Sequence, residues 1–165
     1  MLDVRFSSAL TTLVFLGVAA EEGIAVVSSS QLAEHLNTNP SLVRKLLAPL
    51  VRDGLVDSVK GRTGGARLAR SPQDIPLAEV YVSVIGDKPL WTCRPEGQHT
   101  CQVSAHTAGY FAQLTERAEQ AVLTTLGDQT LANAMHELRC TDHHHTRPAG
   151  PATGLTHTGG TRTQA

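Results

Sequence analysis

The chain has 165 residues, a formal net charge of −1 at pH 7, 41% hydrophobic residues and 4% aromatic ones. That length fits one ordinary domain plus an added segment, with enough apolar mass for a real core. The near-neutral balance excludes a polybasic or polyacidic chain. Three cysteines without a secretory leader exclude a disulfide framework and point to a reducing cytoplasm. The N-terminal apolar run Leu10 to Ala20 is interrupted by threonines and is too short to span a bilayer, so no membrane association is expected.

Charge is unevenly distributed. Residues 40–70 carry Arg44, Lys45, Arg52, Lys60, Arg62, Arg67 and Arg70 against Asp53 and Asp57, a net of +5. The remainder carries seven basic against thirteen acidic side chains, a net of −6. A local basic patch on an otherwise acidic chain is the footprint of a DNA-reading surface, and equally of a solvated basic face.

In chain order, Arg5 to Ala20 reads as a first helix. Phe6, Ala9, Leu10, Leu13, Gly17 and Ala20 share one face, widened by Val14 and Leu16, so the helix is mostly buried. Arg5 stands at its start, where such helices commonly meet a phosphate. Ile24 to Val27 is β-branched and short, a small strand or an extended link. Ser28 with Gln31 forms a capping-box pattern that opens a second helix, Ser29 to Leu36. Asn37 and Thr38 make a turn. Asn39 can cap a third helix and Pro40 suits its first position, where a missing N–H costs nothing.

In that third helix Val43, Leu46, Leu47 and Leu50 recur at spacings of three and four, one buried face, while Ser41, Arg44, Lys45 and Arg52 fall off it. Two capped helices joined by a short polar turn form a helix-turn-helix, whose second helix enters the major groove with its N-terminal residues nearest the bases. Arg and Lys suit guanine O6/N7, and Ser and Asn reach bases or phosphates. Arg52 reads either as a phosphate contact or as an ordinary surface charge. Pro49 removes a bond to the Lys45 carbonyl, so a kink or a frayed second half is expected after the base-reading residues. Gly54 stops the helix. Leu55–Val59 and Ala66–Arg70 then pair as a hairpin across residues 60–65, a basic wing in which Lys60 and Arg62 flank a Gly-rich tip suited to phosphate or minor-groove contact. The candidate DNA-contacting set is Ser29, Asn39, Ser41, Arg44, Lys45, Lys60 and Arg62.

Ser71 to Pro76 is a proline-flanked connector. Pro76 precedes a helix, Leu77 to Ile85, with Leu77, Val80, Tyr81 and Val84 as its buried stripe and Gly86 as its stop. Residues 87–102 form a loop carrying Trp91, Cys93, His99 and Cys101. Val103 to Leu126 is the longest helical stretch. Its stripe of Val103, His106, Tyr110, Leu114, Ala118, Ala121, Val122 and Leu126 exceeds what a domain of this size can cover alone. The simplest partner is the same helix of a second subunit, an isologous homodimer. Asp128 to Leu138 is a last helix. From Arg139 on, Thr, Gly, Pro and His dominate, a composition that cannot bury a core. His143-His144-His145 beside Cys140 and Asp142 could take up zinc, nickel or copper adventitiously, though a solvated tail explains the composition more simply.

The run NTNPSLVRKLLAPL, then GLVDSVKGRTGGARLARSPQDIPLAEVY, resembles the Rrf-two family of bacterial winged-helix transcriptional regulators. Arg5 to Leu10 and Gln31 to Glu34 match as well, so the resemblance extends from Arg5 to about Leu138. Its most specific part is Gly54-Leu55-Val56, Gly61, Gly64-Gly65 and Leu68-Ala69, followed by Pro72, Ile75, Leu77 and Val80. The resemblance implies a crossed pair of long helices holding two reading heads one DNA turn apart. It also implies a sensing region at residues 87–102, where cluster-binding members place three closely spaced cysteines on an iron–sulfur cluster. Here Cys93 and Cys101 stand without a third nearby, so no cofactor is expected and the cluster-free branch fits better, with Cys101 just before the long helix. Cys101 is then either a redox-sensing thiolate or a packed apolar residue, with Cys93 as a second sensor candidate. Two wing positions depart from the family: Thr63 replaces a glycine, which restricts the turn, and Ala66 replaces an aromatic, which loses a packing contact.

The expected fold is mainly α with a small β-hairpin: a winged helix-turn-helix DNA-binding domain at 1–86, a sensor-type loop at 87–102, dimerisation helices at 103–138 and a disordered tail at 139–165. The expected function is a cytoplasmic, homodimeric DNA-binding regulator, a repressor reading double-stranded palindromic DNA under a small-molecule or redox signal. The alternatives are a protein-interaction module built on a degenerate winged helix and an iron–sulfur or thiol redox sensor. An enzyme is not expected, because Gly61 to Gly65 joins strand to strand and no supported catalytic constellation occurs.

Overall fold

The computed structural model describes residues 4–86, 88–91 and 102–141. In chain order it contains α1 (Arg5–Glu21), α2 (Ser29–His35), α3 (Pro40–Arg52), β1 (Val56–Val59), β2 (Gly65–Leu68), a single 3-10 turn (Pro72–Asp74), α4 (Leu77–Ile85), α5 (Gln102–Gly127) and α6 (Leu131–Thr141). Cys93, His99 and Cys101, and the His143–His145 tail, lie outside the described residues.

α1 is the central post. Leu13 and Leu16 share a core with Leu32 of α2, Val43, Leu47 and Leu50 of α3, Leu55 and Val56 at the first strand, and Val80 and Val84 of α4. Aromatic contacts fix its neighbours: Phe15 lies against His35 with ring centroids 4.2 Å apart, and Phe6 meets Tyr81 edge-on at 5.5 Å. Thr12, buried mid-helix, satisfies its hydroxyl by donating to the Ser8 carbonyl at 2.7 Å.

The capping box of α2 forms as its sequence requires: the Gln31 N–H donates to Ser28 Oγ at 3.2 Å and the Ser28 N–H donates to Gln31 Oε1 at 2.9 Å. The turn into α3 places Asn37 at φ +48°, a left-handed conformation that Asn tolerates better than most residues. α3 runs unbroken from Pro40 to Arg52 with Pro49 inside it, so the expected fraying does not occur. Leu47 and Leu50 are buried on either side of the proline, and their burial holds the helix through the missing bond.

β1 and β2 pair antiparallel in the register Val56↔Leu68, Asp57↔Arg67, Ser58↔Ala66 and Val59↔Gly65. Val27 adds one bridge to Ala66, with both N–H groups donating across it at 2.8 and 2.9 Å. Ala66 is buried against that bridge. Thr63 is not among the positive-φ residues, whereas Gly61 in the same turn has φ +117°; the expected restriction at Thr63 is absent because the strained position falls on a glycine.

α5 packs on α4 and then turns back. The Leu77 N–H donates to the Gln129 carbonyl at 2.9 Å and the Leu131 N–H to the Ile75 carbonyl at 2.8 Å. Thr130 and Asn133 cap α6 reciprocally. Leu131 and Met135 then enter the core built by α1 to α4. The last helix, grouped by sequence with the dimerisation helices, is thus packed into the head.

Candidate nucleic-acid interface

Asn39 positions the start of α3 by accepting the Leu42 N–H on its Oδ1 at 3.0 Å. That bond commits one polar atom of Asn39 to capping and leaves its NH2 group as the outward donor. Ser41 and Arg44 are exposed beyond it, and Ser29 is half-exposed at the first position of α2. At about 100° per residue, Arg44 and Lys45 project in directions about 100° apart on α3. Lys45 borders a groove against α1 with Leu42, Leu46 and Pro49. The two cations that sequence treats alike therefore face different surroundings. Lys60 and Arg62 are exposed at the wing. Val59 and Gly65 pair at its base, and the Gly64 N–H donates to the Gly61 carbonyl at 3.1 Å inside the turn. A Cβ on Gly64 would meet the Val59 carbonyl oxygen at 2.3 Å, so that close turn requires glycine.

Ion pairs divide the seven basic residues of this segment. Arg52 lies on Asp53 in a two-pronged pair of 2.7 and 2.8 Å. Arg67 reaches Asp57 at 3.1 Å, directly across the hairpin. Arg70 pairs with Glu79 of α4. Among the described residues none pairs with Arg44, Lys45, Lys60 or Arg62. These are the four cations that the helix and wing pattern singles out. The hydrogen bond from Arg52 holds the Asp53 carboxyl down to about 2. The buried Ser83 hydroxyl adds to the lowering. Sequence reading missed these partners. The Asp57–Arg67 pair was legible in principle from the hairpin register, and Asp53 from adjacency; Glu79 carried no local signal.

The iron–sulfur expectation can be tested on the donor set. Cys93 and Cys101 precede α5, and Cys140 lies near the end of α6. α5 is 26 residues long and α6 only 11, so a returning α6 cannot bring Cys140 back to the start of α5 in the same chain. Among the described residues no group of three or more His, Cys, Asp or Glu could hold a metal ion. Cys93 and Cys101 give two thiolates, short of the four ligands of a cluster within one chain.

A capped helix-turn-helix, a basic two-stranded wing and a supporting helical core define a winged-helix, DNA-binding transcriptional regulator. The sequence model of the Rrf2 family, described as "Iron-dependent Transcriptional regulator", matches residues 2–137. The chain belongs to that family. YwnA of Bacillus subtilis (strain 168) is 29% identical over 111 residues, covering 67% of this chain and 83% of YwnA. The HTH-type transcriptional regulator NsrR of the same organism is 30% identical over 95 residues, covering 58% of this chain and 64% of NsrR. The chain thus spans just under two thirds of that relative. Among solved structures, the global cysteine regulator CymR of B. subtilis superposes with a TM-score of 0.59 at 20% identity, over 83% of this chain and 97% of CymR. T. potens IscR gives 0.59 at 20% identity, over 90% and 93%. These two likenesses establish the fold. No helix among the described residues is long and apolar enough to cross a membrane.

Proposed function

We propose that this chain is a homodimeric, sequence-specific repressor that reads a palindromic operator in the cytoplasm, without catalytic chemistry and without an iron–sulfur cluster. One observation carries the reading: within the basic segment 40–70, the exposed cations without a carboxylate partner among the described residues are Arg44 and Lys45 on the second helix of the helix-turn-helix and Lys60 and Arg62 on the wing. α3 supplies base contacts from Ser41 and Arg44, and the wing grips phosphate. Dimerisation is supported by α5. None of its described side chains is fully buried within the chain, and Tyr110 and Phe111 are 60% and 37% exposed. Pairing two such helices buries that surface and spaces two heads on one face of DNA. The signal is a small molecule or a redox change at Cys101 or Cys93, which precede α5 in sequence.

The test is selection of genomic fragments by purified protein at graded salt. The expected product is an inverted repeat with half-sites about one helical turn apart, bound with steep salt dependence. Light scattering is expected to give twice the chain mass of 17.6 kDa. Recovery of no enriched sequence even at low salt would overturn the reading in favour of a protein-interaction module. An iron-linked visible absorption in anaerobically purified protein, with matching iron and sulfide content, would overturn its cluster-free part.

A further inference from the structure

We propose that the groove between the first turn of α1 and the Lys45 flank of α3 binds a hydroxylated aliphatic carboxylate, and that occupation draws Lys45 away from DNA. The groove encloses about 500 Å³, within the range of small-molecule sites. Its walls are apolar, from Leu36, Leu42, Leu46, Pro49 and Val84. Leu42 is 51% exposed, the most exposed large apolar side chain of α3. An aliphatic ligand body would cover that surface.

Among the described residues the charged groups lining the groove are Arg5, which is engaged elsewhere, and Lys45, with no Asp or Glu. The site therefore favours an anion, and the Lys45 ammonium is the group a carboxylate would pair with. The proline supplies the second polar feature. Pro49 has no N–H to give the Lys45 carbonyl, four residues earlier, so that acceptor lacks its α-helical donor. Both residues line the groove, and we place that carbonyl on its wall as an acceptor. A ligand hydroxyl can donate there while the carboxylate meets the ammonium. Because Lys45 belongs to the proposed DNA-contacting set, the same ammonium cannot serve a ligand and a phosphate at once. Only this regulatory half rests on the DNA-reading function.

The experiment is calorimetric titration of the full chain, without DNA, with 3-hydroxyoctanoate, octanoate and octanol below their aggregation concentrations. Saturable binding of the hydroxy acid is expected, with octanol about tenfold weaker or worse. Leu42→Glu, at an exposed position that tolerates the change, and Lys45→Met should each weaken the acid about tenfold or more. Octanoate should bind about threefold or more weaker than the hydroxy acid, and Pro49→Ala, which restores an N–H to the carbonyl, should erase that difference. Absence of saturable binding, equal binding of octanol, or indifference to Leu42→Glu would overturn the site. A hydroxyl preference that survives Pro49→Ala would overturn the role given to the carbonyl. With the duplex from genomic selection, the acid should lower affinity for the native chain and leave Lys45→Met unaffected; unchanged affinity at saturating acid would overturn the regulatory half. Should no duplex bind at all, DNA reading fails while the titration still reports on the groove.

Discussion

Arg44 and Arg52 both stand exposed on α3, yet one neighbour sets them apart. Asp53 holds the Arg52 guanidinium in two hydrogen bonds, and nothing of the kind restrains Arg44. Replacing Asp53 with Asn should release Arg52 toward a phosphate. Duplex affinity is expected to rise about threefold and the salt slope to steepen by about one, measured by anisotropy at several salt concentrations. The pH dependence follows from the lowered carboxyl. An ordinary aspartate titrates near ~3.9, and Asp53 titrates at about 2 in the folded chain. Because the folded value is the lower one, the stabilisation from this pair is complete above the ordinary value and is lost as pH falls through about 2. Solvent screening keeps it small. Between pH 5 and 8 the effect of the pair on DNA binding should stay constant, so a difference between the native chain and Asp53→Asn that changes across that interval would contradict the assignment.

At the scale of elements, α3 and the wing show how packing overrides local preference. A proline inside a helix costs about 3 kcal/mol in an unsupported interior, yet α3 continues past it to Arg52. Pro49→Ala should therefore stabilise the fold by about 1 kcal/mol or more, read as a shift in the urea midpoint with an unchanged slope. Had α3 been broken at this point, the substitution would bring little. The wing is held the opposite way, by the absence of side chains. A Cβ on Gly65 would lie 2.2 Å from the Val27 carbonyl oxygen, so Gly65→Ala must push the wing off the Val27 bridge. A loss of about 1–3 kcal/mol is expected, together with weaker non-specific DNA binding as Lys60 and Arg62 lose their placement.

At the scale of the whole molecule, α6 changes what the reading head is. Leu131 is fully buried in the same cluster as Leu13 and Ile75, although more than fifty residues separate it from Ile75. Leu131→Ala should cost about 2–5 kcal/mol and destabilise α1 to α4 along with α6. Hydrogen exchange that loosens α6 alone would show that the head stands without it. The Leu77–Gln129 and Leu131–Ile75 hydrogen bonds tie the chain just after α5 to the head.

The sequence by itself determined the elements and their caps. The Ser28–Gln31 box, Asn39 before Pro40, the leucine face of α3 and Gly54 after it are local rules, each satisfied by groups within four residues, and all were legible. It also determined the basic segment, because charge clustering needs no fold. Tertiary structure decided which of those charges are available. Glu79 reaches Arg70 only because α4 packs beside the hairpin, and Lys45 parts company with Arg44 only because α1 walls one flank of α3. Leu131 and Met135 read as one more amphipathic stripe until the chain's return past Ile75 gives that stripe a partner. Periodicity states that a face is buried; what lies against it is a property of distances that no local pattern contains.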